Sequence, residues 1–323
     1  MERLIETFTG PVAGEHVGMT LIHEHVFAMQ PELDVNLPHP EWHEEEAIET
    51  AVAGFNRLYE LGVRTVVDLT VPGLGRDVGR VRRVAERVAV RIVAATGYYT
   101  SDALPHYFRT HGPGRLVGGP DPLVELFVGD IERGIAGTPI RAGMIKVVSD
   151  VEGVTPDVER VFTAAAVAHQ QTGVPITTHS HATSRGGRVQ QRLLERLGVP
   201  VDRVVIGHSG DSIDLAYLRD LADNGSFLGF DRFGMEHVGS DDDRLRTLLA
   251  LLAEGYADRI VLSHDAAFFS RVTPPSWRAR AVPHWHMEHL SRRILPRLRR
   301  EGVDDGILHQ LMVVNPRRVL TGT

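Results

Sequence analysis

Val17-Gly-Met-Thr-Leu-Ile-His23-Glu24-His25 is the stretch on which the reading of this chain turns. Its apolar and β-branched residues predict a short strand, and the strand ends on two histidines that, two residues apart, share one face. Seven further runs of this kind follow, at residues 63–70, 90–97, 142–148, 174–181, 203–208, 227–231 and 259–265. Segments with helical spacing of apolar residues separate them, at 44–61, 78–88, 122–134, 156–172, 188–197, 213–224 and 241–254. That alternation is the pattern of βα units around a parallel sheet. Eight units in 323 residues predict a closed (β/α)8 TIM barrel of the α/β class, a single domain over 1–323. An open doubly wound sheet would carry a phosphate loop after an early strand. Val71-Pro-Gly-Leu-Gly-Arg-Asp77 has neither of the phosphate-loop spacings and reads as a turn. A final helix is expected near 304–313, ended by Asn315-Pro316.

Composition narrows the chemistry. No stretch approaches the roughly 20 apolar residues that cross a membrane, and the start MERLIETFTGPV lacks a basic segment followed by an apolar core, so a cytoplasmic location is expected. The chain has no cysteine, which excludes disulfides, a thiolate nucleophile and sulfur-ligated zinc. Its net charge of −7, from 42 acidic and 35 basic residues, gives no footprint for nucleic acid, and no membrane partner is expected. The basic run at 291–301 reads as a surface helix kinked at Pro296. Histidine is the unusual residue, with 17 in the chain.

Barrel active sites gather at the carboxyl ends of the strands, so the decisive question is what each predicted strand ends with. The first ends His23-Glu24-His25, the fourth carries Lys146, the fifth ends His179-Ser180-His181, the sixth Gly207-His208, the eighth His264-Asp265. One His-x-His pair means little in so histidine-rich a chain; placement gives the set its weight. By strand parity Lys146 shares a face with Met144, His208 with Ile206 and Asp265 with Ser263. A buried lysine needs a metal or carboxylate partner. Nitrogen and oxygen donors without sulfur suit zinc, cobalt, iron(II) or manganese. His284-Trp-His-Met-Glu-His289 lacks the His-Glu-x-x-His spacing of a metalloprotease helix and is assigned to packing and loop anchoring.

Over essentially its whole length the sequence resembles the phosphotriesterase-like lactonases of the amidohydrolase superfamily. The resemblance is carried by Thr20-Leu-Ile-His23-Glu24-His25-Val26, Gly143-Met-Ile-Lys146, Thr177-Thr-His179, Ile206-Gly-His208-Ser-Gly-Asp211, Gly229-Phe-Asp-Arg-Phe-Gly234 and Leu262-Ser-His-Asp265. It implies two divalent metal ions bridged by carboxylated Lys146. One would take His23, His25, Lys146 and Asp265; the other Lys146, His179 and His208, with a water shared between them. It also gives Asp265 a proton-transfer role and makes Tyr99, in Thr96-Gly-Tyr98-Tyr99, and Arg232 the residues that orient a lactone; Tyr98 faces away and packs.

The implied activity is hydrolysis of N-acyl homoserine lactones or related γ- and δ-lactones, with weak phosphotriesterase activity beside it. A phosphotriesterase (aryldialkylphosphatase) and another ester or amide hydrolase on the same scaffold are the alternatives, and a barrel that kept the fold without the chemistry is a third. A homodimer is expected on the resemblance, with a small lactone or organophosphate as the partner molecule. His181 reads as a satisfied polar residue. In the loop 266–277, Phe268, Phe269 and Trp277 either line the substrate chain or pack the loop onto the barrel.

Overall fold

The computed structural model describes residues 4–322. The strands are β1 (Met19–Ala28), β2 (Val63–Asp68), β3 (Arg91–Gly97), β4 (Ala142–Val148), β5 (Ile176–His179), β6 (Val204–Ile206), β7 (Phe227–Phe230), β8 (Ile260–Leu262) and β9 (Ala267–Ser270). All pair in parallel in one sheet, in the order β8-β7-β6-β5-β4-β3-β2-β1-β9. Neighbouring residues on a strand go to opposite sides. Val93, Met144, Val205 and Val261 fill the interior, while Ile92, Ile145, Ile206 and Leu262 pack outward beneath the helices. Both faces being buried is why these strands read as nearly continuous apolar runs.

The helices form where the periodicity placed them. Glu44–Glu60 turns Ile48, Ala51, Val52, Phe55 and Leu58 to the sheet, at the i, i+3, i+4, i+7 spacing of an amphipathic face. Side-chain oxygens of Asp77, Thr155, Asp214 and Ser240 accept from backbone N–H groups in the first turns of the helices that follow them. Each such cap is worth about 1 kcal/mol. The glycine- and proline-rich loop after β3 is pinned by Arg160, which donates to the Phe108 and His111 carbonyls and to Asp121.

Closure runs through the end of β8. Asp265 N–H donates to the His23 carbonyl at 3.0 Å and His25 N–H to the Ala266 carbonyl at 2.8 Å, after which β9 pairs with β1 from His25 onward. Between β8 and β9 the chain turns at Asp265, whose φ is +53°. The buried Glu24 carboxylate holds this turn, accepting from Ser263 Oγ, His264 N, His264 Nδ1 and Ala266 N at 2.6–3.0 Å.

Two expectations are corrected, and one strand departs from simple alternation. Strand parity does not aim His208: it lies beyond β6 with φ +61°, and it is this left-handed turn that brings it inward although Ile206 faces outward. In β1 the pairing register shifts between Leu21 and Glu24, and such a slip lets His23 follow the interior Ile22 without obeying alternation. Asn315-Pro316 does not end the last helix. A π turn at Gln310–Val314 precedes it and Asn315–Thr321 stays helical. The same device, at Leu290–Ile294, precedes Pro296 in the basic run. A widened turn tolerates the missing proline N–H and the ring that would collide with the preceding turn.

Gly97 pairs with Lys146 across β3 and β4 at φ +131°, and a Cβ there would lie 1.9 Å from the Lys146 carbonyl oxygen. Gly97→Ala is expected to destabilise the barrel by about 1–3 kcal/mol from backbone conformation alone, with the steric clash added. Urea unfolding checks it; a wild-type midpoint would mean that the β3–β4 contact is not held this tightly.

Candidate metal centre

The six side chains expected at the barrel mouth converge. His25 Nε2 lies 3.1 Å and His23 Nε2 3.5 Å from Asp265 Oδ1, and the donor atoms of these three residues all fall within 4.8 Å of one another. Lys146 Nζ is 3.1 Å from His23 Nε2. His208 Nε2 and His179 Nδ1 lie 3.0 Å apart, and His208 Nε2 is 3.8 Å from Asp265 Oδ2.

The second nitrogen of every imidazole is taken. Asp231, just past β7, accepts from His23 Nδ1 at 2.7 Å on one oxygen, and from His208 Nδ1 at 2.9 Å and His208 N at 2.8 Å on the other. Thr70 Oγ1 donates to Asp68 and therefore accepts from His25 Nδ1, at 3.0 Å. Asp150 faces His179 Nε2 at 3.2 Å. Fixing one nitrogen as a donor leaves the other with a lone pair aimed at the shared space, the arrangement of metal-ligating histidines. His23, His208 and Asp231 also form a compact group, but both Asp231 oxygens are occupied by imidazole N–H groups, so this carboxylate braces the two rings from behind.

Electrostatics favours the neutral, ligating forms. Burial lowers His179 to about 4 and depresses His23 and His208 as well. Burial likewise brings Lys146 down to about 8, far more of it being free amine than for a lysine in water. Burial opposes the charge of Asp265 and Asp231, yet the neighbouring histidines hold both well below the usual carboxylate range. With nitrogen and oxygen donors, no sulfur and lone pairs already directed, the set fits divalent zinc, cobalt, iron or manganese.

Two further residues border the site. Arg232 donates to Asp265 Oδ2 and Asp211 Oδ2, each at 3.0 Å, while the buried Arg244 grips the other Asp211 oxygen at 2.6 and 3.0 Å. Burial works against the Arg232 charge, and Asp265 and Asp211 more than restore it. Tyr99 stands edge-on to His179 with ring centroids 5.9 Å apart, and burial pushes its hydroxyl up to about 12, so it stays a hydrogen-bond donor. Tyr98 packs on Phe108.

A cavity of about 630 Å³ opens over the cluster. Its apolar lining includes Met29, Leu74, Met235, Val238 and Trp285. Phe268, Phe269 and Trp277 are not among the lining residues: they pack against Phe55, Trp42 and His237 respectively, the packing alternative of the two readings. His181 turns to Ser184 and Thr183, as expected of a satisfied polar residue. His264 faces away from the site, with Nδ1 donating to Glu24 and Nε2 accepting from Leu290 N. His289 meets Asp241 and Trp285 donates to the His264 carbonyl, so the 284–289 segment anchors. Sequence reasoning missed Glu24, Asp150, Asp231 and Arg244. Asp231 was within reach, since its predicted strand ends on it and each ligand histidine needs a partner for its second nitrogen.

Residues 3–320 match the Phosphotriesterase family. The chain belongs to the phosphotriesterase family. It is therefore a metal-dependent hydrolase, on a barrel shared with solved family members. The structure of the phosphotriesterase from Mycobacterium tuberculosis superposes with a TM-score of 0.96 at 44% identity, covering 98% of each chain. An aryldialkylphosphatase of Saccharolobus solfataricus is 36% identical, over 95% of this chain and 96% of its own. A solved variant described as engineered for organophosphate hydrolysis from a weak promiscuous lactonase template has a TM-score of 0.88 and 35% identity, covering 98% of this chain and 100% of that one.

Asp231→Ala is expected to weaken metal retention about 10–100-fold, read by chelator competition with elemental analysis; undiminished retention would reject the supporting role of this carboxylate. The shifted groups also set how the stability of the metal-free protein depends on pH. His179 binds its proton near 6.5 when unfolded and near 4 when folded, so stability is fully present above 6.5 and declines as pH falls from 6.5 towards 4. Lys146, ordinarily at 10.5 and lowered to about 8, adds stability as pH rises between those values. Urea midpoints across pH 4–10.5 check both slopes.

Proposed function

We propose that this chain is a binuclear metal-dependent lactonase that opens N-acyl homoserine lactones or related γ- and δ-lactones, with weak phosphotriesterase activity. The observation that carries the reading is Arg232 clamped between Asp265 and Asp211 beside Tyr99, which together set two fixed donors at the cluster in a single cavity. A lactone presents one carbonyl and one ring oxygen, and two fixed donors suffice to orient it.

His23, His25, Asp265 and Lys146 would hold one ion, and Lys146, His179 and His208 the other. For Lys146 to bridge, its free amine adds to carbon dioxide and loses a proton, giving a carbamate whose two oxygens can each take a metal. The depressed lysine pKa supports this by supplying the free amine. When bound, such a metal pair acidifies water and polarises the substrate's carbonyl or phosphoryl oxygen.

The side chains have separate parts in the reaction. Tyr99, protonated throughout, donates to the substrate and fixes its orientation in the cavity. Arg232 remains a cation and stabilises the negative charge that grows as water adds to the carbonyl carbon. Asp265 takes the proton released in that addition and returns it to the ring oxygen as the carbon–oxygen bond breaks, leaving a hydroxy acid. A phosphotriester centre passes through a comparable charged geometry, which supports weak activity on organophosphates.

A pH-indicator assay of the metal-quantified protein against acyl homoserine lactones, simple γ- and δ-lactones and an organophosphate ester tests the reading. Lactone turnover is expected, falling about 10²–10⁴-fold in Asp265→Asn. Rapid organophosphate turnover with no lactone hydrolysis would make phosphotriesterase the better description.

A further inference from the structure

Arg278 is the one buried arginine at the active-site cavity that the reaction does not use. It sits in the short helix Pro275–Ala281, is 8% exposed, and lines the cavity over the cluster together with Trp285 and Ala267. The same three residues also line a second cavity of about 390 Å³ on the other side, so they form the wall between the two.

Its bonding differs from that of the other buried arginines nearby. Arg232 and Arg244 each rest on carboxylates. Arg278 instead donates to the backbone carbonyls of Ala267 and Phe268, and its buried Nε has no acceptor at all. The guanidinium carbon stands 5.7 Å from the Trp285 ring centroid. Carbonyl oxygens satisfy N–H groups but do not neutralise a charge. The anion that offsets Arg278 is Glu41, whose oxygens are committed to Ser276, and burial still pulls the guanidinium down to about 10. A buried cation that no carboxylate touches is costly to the fold, and an anionic ligand group at the cavity wall would relieve that cost.

We propose that Arg278 is an anion subsite, and that the enzyme favours substrates bearing a carboxylate on the substituent remote from the bond that breaks. Two cations then line one cavity from different segments, Arg232 beside the reacting centre and Arg278 on the wall towards the second cavity. Guanidinium groups recognise carboxylates through paired, charge-assisted hydrogen bonds, and only two of the five N–H donors of Arg278 are drawn to carbonyls. The substrate form of the proposal rests on the lactone reading; the subsite itself does not.

The test uses metal-loaded enzyme and calorimetric titration with unbranched monocarboxylates and dicarboxylates of matched length, from four to eight carbons. In wild type, at least one dicarboxylate is expected to bind about tenfold more tightly than its monocarboxylate. Arg278→Met should erase that difference and Arg278→Lys keep part of it, with metal content unchanged. A wild type that shows no dicarboxylate preference at any length overturns the subsite, as does a folded Arg278→Met that retains the preference. Where the methionine variant fails to fold, absence of the preference in wild type still overturns the subsite, and a preference left undiminished in Arg278→Lys does so as well.

The kinetic arm compares γ-lactones carrying a neutral alkyl chain with those carrying an ω-carboxyalkyl chain. The ratio of their kcat/KM values should exceed one and fall about tenfold in Arg278→Met. Dicarboxylate preference without turnover of any lactone would keep the subsite and reject the lactone reading. Lactone turnover with no preference in either arm would do the reverse.

Discussion

Everything at the barrel mouth depends on how one buried carboxylate, Glu24, is saturated. It is wholly shielded from water and accepts four hydrogen bonds from residues 263–266, the turn between β8 and β9. A buried charge is tolerated only when its acceptors are filled, so the backbone of that segment follows the carboxylate. The result is the left-handed turn at Asp265. Without it the last strand would run straight on, Asp265 would not meet His23 and His25, and β9 would not come alongside β1.

Around that turn the site is built in two shells with opposite electrical character. The inner one faces the shared space with histidines and a lysine, and burial shifts His23, His179, His208 and Lys146 towards their uncharged forms. Behind it, Asp231, Asp150 and the Thr70–Asp68 pair hold the far nitrogens, so ring orientation is settled before any metal arrives. Asp231 is the most economical of these, since one side chain orients ligands from β1 and from the β6 turn together. On the flank, Arg232, Asp211 and Arg244 alternate in sign, so the Arg232 cation is held by carboxylates beside the histidine cluster.

Much of this was legible in the sequence because strand ends carry chemistry in a barrel and interior residues do not. The eight runs and the helices between them follow from periodicity, placement drew attention to the strand ends, and the resemblance picked the six converging side chains from among them. What escaped was local backbone conformation. Strand parity cannot foresee that His208 swings inward through a positive φ, nor that β1 slips register at His23. Proline as a helix terminator misled at Pro316, because the preceding π turn had already opened the carbonyl ladder. Phe268 and Phe269 are apolar whether they meet substrate or core, and only the positions of Phe55 and Trp42 decide between those fates. Asp231 and Glu24 went unassigned for a related reason: a carboxylate serving another side chain leaves no spacing signature.

The pairing of β9 with β1 reaches beyond stability. The loop that borders the substrate cavity is rooted in a main-chain ladder, with Arg278 gripping backbone carbonyls at the same root. None of those ties, the arginine aside, depends on which side chains the loop carries. Its tip can therefore drift residue by residue while the cluster beneath keeps its geometry, and one barrel can supply a lineage of enzymes that differ in diet and share a common hearth.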